Sequence, residues 1–299
     1  MMKALAYYDG NIATPDELMI PFNDRVHFFG DGVYDATVGG NAIPFLLDDH
    51  LDRFYSSARA LDIEIPMEKA KLGALLRDLT ARVEGNTHFV YWQVTRGVTK
   101  RDHIYGEGLK GKLWVMIRPS VLNDPNLPIS LITKEDTRFF HCNIKTLNLL
   151  PAVMASEEAK RQGAQETVFH RNGIVTECAH SNVSILKDGV FRSHPNDNLI
   201  LRGISKTHMI SACYRLGITV IEKAFTLEEL LAADEIIVTS SSNFCLHANS
   251  VDGQPVGGKS PEMLKAIQDE VVGEYLAYTG RSSLFDKPEK ELCHEQEPA

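Results

Sequence analysis

Apolar positions along the chain switch repeatedly between alternating and helical spacing. Residues 4–8 form a short apolar run that reads as a strand, with a turn at Asp9-Gly10-Asn11. Residues 34–38 and 42–47 read as the arms of a hairpin around Gly39-Gly40-Asn41. Leu51, Phe54, Ala58 and Leu61 then fall on one face of a helix that Asp48 or Asp49 can cap. A second helix is expected over residues 67–83, with Leu72, Leu75, Leu76 and Leu79 apolar. Residues 88–96 and 113–117 look like neighbouring strands joined by a polar loop, 97–111.

Three prolines within residues 118–128 make that stretch the best linker. Beyond it the pattern gives a strand at 129–133 and a helix at 149–162. A strand–turn–strand unit follows at 166–176 around Arg171-Asn172-Gly173, and a hairpin turns at Lys187-Asp188-Gly189. A helix at 204–216 and a strand at 235–239 follow. Strands and helices mingle without a strict βαβ rhythm, which favours an α+β fold. We expect a smaller N-terminal domain at 1–120, a larger one at 121–280, and a polar, disordered tail at 281–299.

Composition narrows the class. A chain of 299 residues with 43% hydrophobic and 24% charged residues has an ordinary globular balance. The net charge of -9 argues against a nucleic-acid partner, which wants a concentrated basic face. No apolar run approaches the roughly 20 residues of a membrane span, and the first ten residues lack a signal-peptide pattern. A cytoplasmic protein is expected. Five widely spaced cysteines, Cys142, Cys178, Cys213, Cys245 and Cys293, suggest neither a disulfide framework nor a zinc site. The eleven scattered histidines offer no metal set.

Short motifs contribute little: Gly30-Asp31-Gly32 is a fragment of a phosphate loop that leads into a strand. Longer strings carry more. Lys145 stands between Ile144 and Leu147 at the edge of an apolar segment. Such a lysine is commonly a solvated rim residue. It is also what a Schiff-base lysine requires, because desolvation favours the neutral, nucleophilic amine. Downstream lies Glu177, followed by Ser181-Asn182.

Together with Phe29-Gly-Asp-Gly-Val-Tyr34, His50-Leu-Asp-Arg53, Leu201-Arg-Gly-Ile204-Ser205 and Thr239-Ser-Ser-Ser242, these strings stand in the order found in one family. The chain resembles the fold-type-IV pyridoxal-phosphate enzymes, which include branched-chain and D-amino-acid aminotransferases and aminodeoxychorismate lyases. The resemblance implies a two-domain α+β fold with pyridoxal 5′-phosphate between the domains. It makes Lys145 the Schiff-base residue and the group that moves the substrate α-proton. Glu177 would hold the pyridine nitrogen protonated, and Arg53 would grip the cofactor phosphate. Ile204 and Ser205 would cradle that phosphate at a helix start, Ser240 and Ser241 would add donors, and Leu201 would pack on the ring.

The loop Val98-Thr-Lys-Arg101-Asp-His103 narrows the resemblance to the D-amino-acid aminotransferases. Arg101 and His103 match that subgroup's carboxylate-binding pair, and Tyr34 completes the trap. In the family the loop comes from the partner subunit, so the match implies a homodimer with shared active sites. The implied reaction is ping-pong transfer between a D-alanine-like amino acid and 2-oxoglutarate or pyruvate. A lyase and an L-branched-chain aminotransferase are the alternatives on this fold, and the Arg101–His103 pair speaks against both. Departures from the subgroup pattern at Asp35, Ala36, Val38, Phe139, Cys178, Ala179, His180 and Asn243 are expected to line the pocket.

Overall fold

The computed structural model describes residues 2–285. The first half contains β1 (Leu5–Tyr8), β2 (Asn11–Ala13), α1 (Val26–Phe29), β3 (Gly32–Gly40), β4 (Ile43–Pro44), α2 (Leu47–Ala60), α3 (Lys69–Ala81), β5 (Thr87–Thr95) and β6 (Lys112–Pro119). The second contains β7 (Ile129–Glu135), α4 (Leu150–Arg161), β8 (Glu166–Arg171), β9 (Ile174–Cys178), β10 (Asn182–Lys187), β11 (Val190–Ser193) and α5 (Ile204–Arg215). It ends with β12 (Thr219–Glu222), α6 (Leu227–Leu231), β13 (Glu235–Thr239), β14 (Leu246–Val251), β15 (Gln254–Pro255) and α7 (Pro261–Thr279).

The first six strands make one antiparallel sheet in the order β2-β1-β6-β5-β3-β4. β3 and β5 pair over their full lengths, from Gly32 opposite Thr95 to Gly40 opposite Thr87. Alternation along β3 sends Val33 into a core with Leu51 and Phe54 of α2, Leu72 and Leu76 of α3, and Trp92 of β5. Tyr34 and Ala36 therefore face the other way, toward the second half of the chain. The remaining strands make a mixed sheet in the order β12-β11-β10-β13-β14-β7-β8-β9, with β15 beside β14. β7 and β8 run parallel, which requires the crossover that α4 supplies.

Most expected elements are present; α1, α6, β12, β14 and β15 are additions to them, and several further differences bear on the expectations. The second hairpin arm shrinks to the two residues of β4, because α2 already begins at Leu47. Neither Asp48 nor Asp49 caps α2: the N-cap is Leu46 in a left-handed conformation, and both aspartates lie in the first turn, where they favour the helix dipole. The third difference is α7, unforeseen although Leu264, Ile267, Val271 and Tyr275 repeat at helical spacing and are buried. Residues 281–285, grouped with a tail by sequence, pack against the first sheet. Arg281 Nη1 donates to the Asn86 carbonyl and Thr87 Oγ1, each at 2.7 Å, and Leu284 is buried. Residues 286–299, including Cys293, lie outside the described residues. Cys142, Cys178, Cys213 and Cys245 are unpaired and buried. No helix among the described residues is long and apolar enough to cross a membrane.

Candidate active site

The segment between β7 and α4 crosses the open face of β3. A bridge between Val33 and Thr146, with the Tyr34 N–H donating to the Lys145 carbonyl at 3.0 Å, stitches it there. The Lys145 N–H donates in turn to Ser57 Oγ of α2 at 3.2 Å. Fixed on both sides, Lys145 projects into a cavity of about 240 Å³ lined from both halves of the chain. Its Nζ lies 4.4 Å from the centre of the Tyr34 ring. Tyr34 is itself stacked on Tyr91 at 5.4 Å. Among the described residues no carboxylate forms an ion pair with Lys145 Nζ, so the amine faces the cavity unclaimed.

Glu177, near the end of β9, lines the floor of the same cavity and is buried. Its Oε1 accepts from Arg138 Nη1 at 2.6 Å, and its Oε2 accepts from Asn182 Nδ2 at 2.9 Å and the Leu201 N–H at 3.0 Å. Burial pushes its carboxyl up to about 7, from an ordinary 4.5, against the opposing pull of Arg138. Arg138 is clamped in turn by the fully buried Asp136 carboxylate through Nε and Nη2, each at 2.9 Å. Sequence reasoning missed Arg138, which stands 39 residues from Glu177 and meets it only through the fold.

Arg53 enters from α2. Its Nε and Nη2 donate to Asp35 at 2.8 and 2.7 Å, and Nη1 donates to the Arg202 carbonyl at 3.0 Å. A guanidinium has five N–H groups, and Nη2 also lies 3.4 Å from His50 Nδ1, so the second N–H of Nη1 is the donor left over. Asp35 is completely buried, yet Arg53 and His50, whose Nδ1 lies 2.8 Å away, hold its carboxyl well below the usual range. Both partners come from α2 at a spacing that shares a helix face.

α5 starts at the cavity with no side chain capping it at Gly203, which leaves its first N–H groups and the positive dipole end directed there. Gly203 is required by packing: a Cβ there would collide with Asn182 Oδ1. Ser205 and Ser241 line the same end, but their hydroxyls already donate to the Ser240 and Ala36 carbonyls at 2.9 and 3.1 Å. Donors for an anion must therefore come chiefly from the main chain of α5 and from Arg53. Leu201, Ile204 and Ser240 also line the cavity.

Arg101 and His103 do not line this cavity. Both are exposed on the loop between β5 and β6, against Phe29: Arg101 sits 5.4 Å from that ring's centre and His103 5.2 Å. Among the departures, Ala36, Phe139, Cys178, Ala179 and His180 line the cavity. Asp35, Val38 and Asn243 do not, contrary to expectation: Asp35 is buried beneath the cavity against Arg53 and His50. Val38 is fully buried in a cluster with Phe45 and Tyr275, and Asn243 borders an adjoining cavity of about 210 Å³.

Comparison with known proteins gives this arrangement its place. The family described as amino-transferase class IV matches residues 32–251. The chain belongs to that family. It is 35% identical to the D-alanine aminotransferase of Bacillus licheniformis over 284 residues, 94% of this chain and all of the relative. It is 38% identical to the D-alanine aminotransferase of Listeria monocytogenes, covering 93% of this chain and 98% of the relative. Among solved structures it resembles the branched-chain amino acid aminotransferase from Escherichia coli. The TM-score is 0.84 at 20% identity, with 94% and 96% of the two chains covered, a likeness of fold.

This class IV aminotransferase uses pyridoxal 5′-phosphate. The cavity fits such a group on its own chemistry. It offers an unpaired primary amine, a buried carboxylate, an uncapped helix start and an arginine beside them.

Proposed function

We propose that the enzyme transfers an amino group between a D-amino acid resembling D-alanine and a 2-oxo acid such as 2-oxoglutarate or pyruvate, in two successive half-reactions. The observation that carries this reading is the unclaimed amine of Lys145 over Tyr34, in one cavity with Glu177. The names of the curated relatives support the D-amino-acid choice.

Bound pyridoxal phosphate supplies an electrophilic carbonyl carbon and an electron-withdrawing ring. Lys145 would hold the carbonyl end of that group, and its Nζ would be the base that accepts and hands back the substrate α-proton. Glu177, kept in place by Arg138, Asn182 and the Leu201 N–H, holds a proton at the ring nitrogen. Leu201 flanks the ring. Arg53 and the N–H groups at Ile204 and Ser205 hold the phosphate, with Ser240 and Ser241 closing that end. Tyr34 receives the substrate carboxylate together with Arg101 and His103 of a second copy of the chain.

That last assignment requires a homodimer. Its support is an outward apolar face on α4, where Leu150, Val153 and Met154 are 69%, 58% and 62% exposed at helical spacing. Mixing inactive Lys145→Ala with impaired Arg101→Ala should raise D-alanine turnover above that of Arg101→Ala alone, because each hybrid dimer contains one intact site. Failure of the mixture to recover, with hybrids verified by native mass spectrometry, contradicts shared sites. The substrate reading is tested with 2-oxoglutarate as acceptor: D-alanine should be consumed and L-leucine should not. Turnover of L-leucine alone overturns it.

A further inference from the structure

Nothing in the reaction above uses His180, yet this imidazole lines the cavity beside the groups that the reaction does use. β9 and β10 are joined by a tight turn closed by the Cys178 N–H donating to the Ser181 carbonyl at 2.8 Å. His180 sits in that turn with 57% of its side chain exposed, and it lines both the active-site cavity and the adjoining one. Beneath it lies the Glu166 carboxylate, whose side chain is 3% exposed. Glu166 Oε2 stands 2.8 Å from His180 Nδ1 and accepts from Ser181 Oγ at 3.0 Å, while Oε1 accepts from the Thr167 N–H at 2.9 Å.

Each oxygen of Glu166 is therefore committed, and the ring is locked by its Nδ1. Among the described residues no hydrogen bond engages Nε2, which leaves one N–H donor on the exposed edge. Burial and the nearby Lys145 pull the imidazole toward neutrality, but the hydrogen bond and charge of Glu166 outweigh them, and the net shift favours the cation. The adjoining cavity adds room beyond what a methyl side chain needs. Its other carboxylate, Asp124, is occupied by the backbone and side-chain N–H groups of Asn126.

We propose that His180, oriented by Glu166, receives the second carboxylate of a dicarboxylic substrate, so that acids of the 2-oxoglutarate type are preferred over pyruvate. This rests on the aminotransfer reading, but not on the handedness of the donor, because 2-oxo acids have no α-stereocentre. A charge-assisted hydrogen bond of this kind is worth roughly tenfold to a hundredfold in affinity.

The test uses the holoenzyme and three variants, His180→Ser, His180→Arg and Glu166→Gln. Binding of unreactive glutarate and butyrate is measured by calorimetry, and kcat/KM is measured for 2-oxoglutarate and pyruvate. His180→Ser should weaken glutarate and 2-oxoglutarate roughly tenfold or more while leaving butyrate and pyruvate within about twofold. His180→Arg should retain the preference, and Glu166→Gln should reduce it. Equal effects on both acids, or no effect, overturn the proposal. If His180→Arg behaves as His180→Ser, the charge assignment fails. Donor selectivity for L-leucine would sink the D-amino-acid reading and leave this result standing.

Discussion

The floor of the cavity and the loop at 97–111 are held in opposite ways. On the floor, Glu177 accepts three N–H donors, Arg138 is gripped by a fully buried aspartate, and Arg53 is gripped by another. Each charge is buried with a partner, so the geometry exists within one chain before any ligand arrives. The loop carries Arg101 and His103 in solvent, resting on Phe29. Its backbone is tethered by Arg25, whose Nη1 donates to the Asp102 carbonyl at 2.6 Å, but the side chains have no cavity of their own. On the proposed reading, the groups that would hold the cofactor are thus fixed internally, whereas Arg101 and His103 would reach the substrate only from a second copy of the chain.

The largest expected effect lies on the floor. Lys145→Ala should lower kcat by roughly a thousandfold or more, the scale of a lost proton-transfer group, with the fold retained by circular dichroism. Asp35→Ala should leave Arg53 buried without its carboxylate and cost about 3–5 kcal/mol of stability by urea titration.

A smaller effect follows from Glu177. Its carboxyl in the folded, cofactor-free protein titrates near 7, above the ordinary 4.5. The folded state therefore binds more protons in that window, and the associated stability is complete below about 4.5 and lost as pH rises to 7. Wild type should lose roughly 1–3 kcal/mol relative to Glu177→Gln between those limits, measured on cofactor-stripped protein. On the loop, Arg101→Ala should leave stability within about 0.5 kcal/mol. It should still lower kcat/KM for D-alanine roughly tenfold to a hundredfold. A loop variant as destabilising as Asp35→Ala would erase the contrast.

Legibility from sequence follows the same division. Strands β3 and β5 and helices α2 and α3 announce themselves through alternation and helical spacing, because one face of each is buried in a single core. Lys145, Glu177 and Arg53 were readable as motif strings, and the structure brings all three to one cavity. Arg138 and Asp35 were not, since their partners lie 39 and 18 residues away and only folding supplies the contact. The helix start at Leu46 depends on a left-handed backbone at a leucine, which propensity does not anticipate. Which groups of the serine-rich end could donate was not legible either, because the Ser205 and Ser241 hydroxyls donate to the Ser240 and Ala36 carbonyls, partners that only the fold supplies.

Every proposed role at the site depends on Lys145 carrying the cofactor. Borohydride reduction of the holoenzyme followed by peptide mass mapping tests it directly. The phosphopyridoxyl group should be found on Lys145, and Lys145→Ala should retain none after reduction and denaturation. A label on another lysine, with Lys206 of α5 the nearest buried competitor in sequence to the cavity-lining Ser205, would contradict the account.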